Sequence, residues 1–363
     1  MLQESYRVLD QLRLPNGLYV ASPSDNYSFV WIRDCVYIAF AYLEDESDTY
    51  ERTFYGLFDL FRKYEWKLDI LVEQKPHYEW EYVHARYDAR TIDEIHDEKW
   101  GHVQHDMIGA FLFGIGEGVR RKKRMLRDES DQRIVQKLVR YLHNVQYWKD
   151  PDNGIWEEWR EMHSSSLGAC LAGLRHVRSL CDVPGEMIEA GLDALMKLYP
   201  RESADKSSDL AQLSLIYPYQ ILHGAMAEKI VEQIERELLR ERGVIRYRGD
   251  SYYSTHEKEY GRGYPLSFYE GTEAEWTFGL PWLAICHQLL GHHEKALSYV
   301  KRTEQVMTRP GELPELYYSG QSRPNPNTPL GWSSAMYILA KQKLTVNSLH
   351  DHQTSVHLRQ LEI

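Results

Sequence analysis

The chain has 363 residues, 43% of them apolar and 12% aromatic, and a net charge of −11. That length can bury a large core in one unit. The dispersed negative charge argues against nucleic acid or an anionic membrane surface as the main partner and favours a neutral ligand.

Helical periodicity runs through most of the sequence. A first helix over 2–13 carries Leu2, Tyr6, Leu9 and Leu12 on one face and stops at Pro15-Asn16-Gly17. Phe29-Val30-Trp31-Ile32-Arg33-Asp34 opens an apolar helix through Leu43, and 51–68 reads as an amphipathic helix. Residues 73–100 are rich in Tyr, His and Trp without a sustained period, which marks a long excursion at a working end of the fold. Helices are expected over about 102–119, 131–146, 164–181 and 186–198. A short helix at 208–218 is stopped by proline, and a longer one spans 224–241. A second irregular excursion, 242–270, precedes helices near 272–290, 293–308 and 329–343. About twelve helices, joined alternately by short turns and long aromatic loops, fit helix hairpins closed into a ring with the long loops at one end. No repeat of solenoid length is visible. One domain is expected over 1–345, followed by a polar C-terminal tail over 346–363.

Cys35, Cys170, Cys181 and Cys286 have no CxxC spacing, so neither a zinc site nor a disulfide framework is indicated. His102 and His105 stand near i, i+3 on one expected helix, but nothing matches a metal-ligand pattern. No cofactor and no metal are therefore expected. The basic run Arg120 to Arg124 reads as the end of a helix, where cations complement the dipole. Ser164-Ser165-Ser166 shows no nucleophile elbow and reads as an N-cap cluster. No run approaches the ~18 apolar residues of a membrane span, and the N-terminus lacks the apolar stretch of a signal peptide. The expectation is a cytoplasmic protein without a membrane partner, its oligomeric state left open.

Chemistry concentrates at Asp152-Asn153-Gly154-Ile155-Trp156-Glu157-Glu158-Trp159, two adjacent acids between tryptophans. A carboxyl group walled by aromatic rings is poorly solvated, so it holds its proton to higher pH and can donate it to a leaving group. The same stretch also fits an acidic pair flanking a helix. A second acid, Glu315, follows Leu313-Pro314, where proline stiffens the approach. It could equally be an exposed loop glutamate. Two carboxyl groups on separate loops of one face are what glycoside hydrolysis requires. Arg33-Asp34 and the Arg246/Asp250 pair supply groups able to grip sugar hydroxyls or to form ion pairs.

Five stretches together resemble family 15 glycoside hydrolases, the glucoamylase-like family, and the glucoamylase-like region of phosphorylase kinase α and β subunits. They are Trp31-Ile32-Arg33-Asp34, Trp100-Gly101-His102-Val103-Gln104-His105-Asp106, Gly154 to Glu158, Arg246-Tyr247 with Asp250, and Leu313-Pro314-Glu315, in the family's order. The resemblance implies an all-α (α/α)6 barrel, the six-hairpin glycosidase toroid, and inverting hydrolysis. It implies Glu157 as general acid and Glu315 as general base. Trp31, Arg33, Asp34, Trp100, Gln104, Asp106, Trp156, Glu158, Arg246 and Asp250 would bind the substrate. The expected substrate is a short α-glucan, cut from its non-reducing end to release glucose. His102, and the wording Leu-Pro-Glu-Leu-Tyr at 313–317, stand closer to the phosphorylase kinase version, which implies an alternative: a sugar-sensing protein without turnover. A barrel acting on another sugar, such as trehalose, isomaltose or a uronide, is a third option.

Overall fold

A computed structural model describes the backbone of residues 1–96 and 100–360, with side chains through 345. The expected tail, 346–363, therefore falls outside the residues whose side chains are described. Fourteen α-helices run through the described residues: α1 Leu2–Leu12, α2 Ile32–Phe40, α3 Thr49–Lys63, α4 Glu65–Leu71, α5 His105–Arg120, α6 Glu129–Val145, α7 Ser164–His176, α8 Gly185–Leu198, α9 Gly224–Glu237, α10 Thr255–Tyr260, α11 Leu266–Tyr269, α12 Gly279–Leu289, α13 His293–Gln305 and α14 Gly331–Gln360. Four short strands pair two by two, β1 Phe29–Trp31 with β2 Arg86–Asp88 and β3 Glu275–Trp276 with β4 Leu316–Tyr317.

Six elements close an inner ring. α2 packs on α5, α5 on α7, α7 on the 3-10 segment Leu210–Leu215, that segment on α12, α12 on α14, and α14 back on α2. Their composition explains the position. All nine residues of α2 and all six of Leu210–Leu215 are buried, and a helix that is apolar all round needs partners on every side. The outer helices are one-sided. α1 buries Val8, Leu9 and Leu12 against α14, α3 packs on α2 and α5, α8 on α7, α9 on 210–215, and α13 on α12 and α14. The architecture is an (α/α)6 barrel, as the hairpin pattern suggested.

Several local expectations change. Phe29–Trp31 is strand β1 rather than helix, because it pairs with Arg86–Asp88 and ties the first excursion to the mouth of α2. The helix expected over 51–68 breaks at Tyr64 into α3 and α4. His102 precedes α5 instead of lying on it. α7 begins at Ser164 with His163 as N-cap. The Ser164 and Ser165 hydroxyls donate to the buried Glu202 carboxylate, which also accepts from the Ser165 backbone N–H at 3.2 Å, so an acid from another segment replaces the expected serine cap. The basic run behaves as read: Arg120 closes α5, Arg121 Nε donates to Glu44 at 2.8 Å, and Lys123 pairs with Glu51 at 3.3 Å.

α5 and α7 pack backbone against backbone at Gly109. A Cβ there would stand 2.3 Å from the Ala169 carbonyl carbon and 2.4 Å from the Cys170 nitrogen, both backbone atoms that cannot swing aside. Gly109→Ala is therefore expected to cost about 3 kcal/mol or more, the upper end for overpacking. Gly185→Ala, at the start of α8 with nothing within 4 Å, should be neutral or slightly stabilising. Thermal denaturation of the two variants checks the contrast.

Candidate active site

The inner helices begin at one end of the barrel, and the residues at or just before their first turns surround a cavity of about 660 Å³. Arg33 and Asp34 come from the first turn of α2, Gly101 from the approach to α5, and Trp156 to Trp159 from the approach to α7. Trp276 comes from the approach to α12, and Leu330 and Trp332 from the start of α14. Helix N-termini directed at this end favour negative charge, here supplied by carboxylates.

Glu157 sits on a turn in which Gly154 and Glu157 itself adopt left-handed φ values of 64° and 63°. A non-glycine residue holds that conformation only where its surroundings dictate it. The Asn153 N–H donates to the Val103 carbonyl at 2.6 Å, the Val103 N–H donates to Asn153 Oδ1 at 2.9 Å, and the Asn153 amide donates to the Glu158 carbonyl. Gly101 is required beside this turn, since a Cβ would lie 2.6 Å from the Asn153 side chain. The Glu157 carboxyl accepts from Arg33 Nη2 at 2.9 Å and from Trp100 Nε1 at 2.8 Å. Burial pushes its pKa up, against Arg33 and Trp100, which pull it down.

Glu158 has the opposite character. It accepts from Lys206 Nζ and Arg246 Nη2, both at 2.9 Å, and from the Tyr247 hydroxyl at 2.7 and 2.8 Å. Burial raises its pKa, but these partners outweigh that and leave it below the usual carboxylate range.

Glu315 reaches the cavity from the far side. β3–β4 pairing fixes its loop, the Thr277 N–H donates to its carbonyl at 3.1 Å, and its own N–H donates to the Asn327 carbonyl at 3.1 Å. It is 1% exposed, not the exposed loop glutamate its sequence also allowed. Three donors aim at its carboxylate: the Tyr27 hydroxyl, the Asn325 amide, and the Asn327 amide at 2.7 Å. Burial raises its pKa while these hydrogen bonds oppose the rise. Asp34 also faces the cavity, with no side-chain donor on its carboxylate among the described residues. Burial, with Glu157 and Glu315 nearby, pushes it up to about 7 against the pull of Arg33.

Of the expected site residues, Trp31, Arg33, Asp34, Trp100, Trp156, Glu157, Glu158, Arg246 and Glu315 line this one cavity. Gln104, Asp106 and Asp250 do not; they lie behind it, 2%, 2% and 0% exposed. Arg33 Nη1 donates to Gln104 at 2.8 Å and to Asp106 at 3.1 Å, and Arg246 makes a two-pronged contact with Asp250 at 2.6 Å on each arm. These three side chains hold the cavity-lining arginines in place from behind. The sequence reading missed Tyr27, Lys206, Arg86, Tyr252, Trp276, Asn325, Asn327 and Trp332. Asn325-Pro326-Asn327 carried a signal in hindsight, two amides bracketing a proline a short distance after an acid. Lys206 carried none.

Residues 1–185, just over half of the chain, match the sequence profile of glycosyl hydrolases family 15. The chain belongs to this family. A glycosidase solved in complex with glucose shares the family 15 chain's fold with a TM-score of 0.77, at 19% identity over 95% of this chain and 96% of that one. The glucoamylase from Saccharomycopsis fibuligera gives 0.66 at 12% identity over 95% and 94%. Among curated proteins, the liver isoform of the phosphorylase b kinase regulatory subunit alpha from Mus musculus is 25% identical over 301 residues, 71% of this chain. The chain spans about a quarter of the length of the curated relatives it matches. Among the described residues no helix is long and apolar enough to cross a membrane.

Proposed function

We propose that residues 1–345 form an exo-acting α-glucosidase that releases glucose, with inverted configuration, from the non-reducing end of short α-glucans. One observation carries this reading: Glu157, half-buried, and Glu315, fully buried, stand 158 positions apart in sequence and line the same tryptophan-walled cavity. Glu157 is the general acid. Its desolvated setting raises its pKa and keeps a proton available to the glycosidic oxygen, against the pull of Arg33 and Trp100, which hold the carboxyl in place. Glu315 is the general base. Three neutral donors favour its ionised form, ready to take a proton from water as that water attacks the anomeric carbon. Arg33, Asp34, Trp100 and Arg246 line the subsite of the terminal sugar, and Glu158 meets sugar hydroxyls. Trp31, Trp100 and Trp156 offer flat apolar faces to the sugar rings.

The likeness to phosphorylase kinase regulatory subunits favours a second reading, a sugar sensor that binds without turnover. Incubation with a panel of α-linked di- and oligosaccharides, followed by NMR, separates the two. β-Glucose appearing before mutarotation supports hydrolysis with inversion. α-Glucose as first product rejects inversion, and sugar binding by calorimetry without any glucose supports the sensor.

A further inference from the structure

Glu157 and Glu158 are adjacent in sequence and lie on one cavity wall, yet the proposed chemistry needs a proton on the first and a charge on the second. Their environments are nearly matched. Glu157 faces Arg33, whose charge is already met by Asp106 at 3.1 Å. Glu158 faces Arg246, whose charge is already met by Asp250 at 2.6 Å. The main difference is one close contact: Lys206 stands 2.9 Å from Glu158, whereas the second cation near Glu157, Arg86, lowers its pKa less than Arg33 does.

Building on the acid assignment above, we propose that Lys206 is a positioning residue that allocates the proton: its ammonium holds Glu158 as a carboxylate, so that the proton resides on Glu157. Lys206 is not part of the cavity lining. It is 3% exposed and approaches Glu158 from behind, over the ring faces of Tyr247 at 4.0 Å and Trp159 at 4.6 Å. Its backbone is fixed. The Lys206 N–H donates to Ser203 Oγ at 3.1 Å, and its carbonyl accepts from the Glu202 and Ser203 N–H groups at 3.1 and 3.2 Å. A buried ammonium is expensive to desolvate, so this placement makes sense only with a carboxylate as partner. The charged and titratable groups around Glu158 are Lys206, Arg246, Tyr247, Asp250, Asp209 and Glu157. Asp209 is the one rival for Lys206, at 4.0 Å. Its Oδ1 is occupied by Trp156 Nε1 and the Ala211 N–H, both at 2.8 Å, and its Oδ2 has no hydrogen bond among the described residues. Burial raises Asp209 well above the usual carboxylate range, so the nearer Glu158 is the principal counter-ion. Without Lys206, Arg246 alone would face both Glu158 and Asp250, and Glu158 would compete with Glu157 for the proton.

The test is calorimetric binding of S-linked thiomaltose, a maltose analogue that resists hydrolysis, from about pH 4 to 9, a span covering perturbed carboxylates, on the wild-type chain, Lys206→Met, Lys206→Gln and Lys206→Arg. With Lys206 present, Glu158 keeps its charge to lower pH than a free glutamate. In the Met and Gln variants it should take up a proton in the acid part of this range and stop accepting from sugar hydroxyls. Binding should then fade on the acid side and return as pH rises, with a midpoint at least about one unit above wild type, while Lys206→Arg keeps the wild-type midpoint. The Gln variant stands in if Met does not fold. Weakening by the same factor at every pH, with an unmoved midpoint, would overturn the proposal and leave Lys206 a packing residue. A wild-type chain that does not bind thiomaltose at any pH would sink the site assignment itself, whereas binding with an unmoved midpoint would count against Lys206 alone.

Discussion

Glu157→Gln is expected to lower kcat on maltose by about 10³–10⁴-fold, the upper part of what a positioned acid supplies, with KM little changed. The leaving group in maltose is a sugar alkoxide, which departs only if protonated as the bond breaks. Glutamine fills the same volume and still accepts from Arg33 or Trp100, so the turn and the sugar site should survive. The diagnostic comparison is α-glucosyl fluoride, whose leaving group needs little protonation. Its turnover should fall far less than that of maltose. The pH profile adds a second check. Burial raises the pKa of Glu157, so the wild-type chain keeps its proton to higher pH than a free glutamate and loses maltose activity as pH climbs through that raised value. In the variant this alkaline limb disappears, because nothing remains to be deprotonated. Maltose turnover at the wild-type rate would remove Glu157 from the role of acid.

What the sequence made legible, and what it did not, follows from how each feature is encoded. The inner ring was readable because its helices are apolar on all sides and its hairpins alternate short and long connections. The Arg246–Asp250 pair and the acid between tryptophans were readable because the partners are close in sequence, whereas Arg33 pairs with Asp106 and Glu157, far along the chain, and not with Asp34. Strand β1 was not, since an apolar Phe-Val-Trp run fits helix and strand equally and only Arg86–Asp88, far along the chain, decides between them. The Ser164–Ser166 cap failed for the same reason: the acceptor is Glu202, supplied by the turn after α8. Gln104, Asp106 and Asp250 lie in the expected neighbourhood but behind the cavity, because sequence spacing does not say which member of a hydrogen-bonded pair faces it. Lys206 is the extreme case. A lone lysine in a polar loop has no pattern, and it becomes visible only when Glu158 is found against it.

Glu315→Ala should be as damaging to turnover as the acid variant, yet open to chemical rescue. In an inverting reaction the base removes a proton from water while the water attacks the anomeric carbon. Alanine leaves no base, and kcat on maltose should fall by about 10²–10⁴-fold. It also leaves space, bordered by the Tyr27 hydroxyl and the Asn325 and Asn327 amides that formerly met the carboxylate. Stranding those donors should cost on the order of 1–3 kcal/mol of stability, limited by water entering the gap. Azide fits such a space and needs no deprotonation to attack. Adding it should restore turnover and yield the β-configured glucosyl azide, since attack comes from the face opposite the leaving group. Burial raises the pKa of Glu315, so wild-type activity is lost as pH falls through that value and the base becomes protonated. In Glu315→Ala with azide this acid limb should vanish while the alkaline limb set by Glu157 persists. An α-configured azide would instead require two displacements and a covalent intermediate, which would overturn inversion; unaltered hydrolysis without azide would show that the base lies elsewhere.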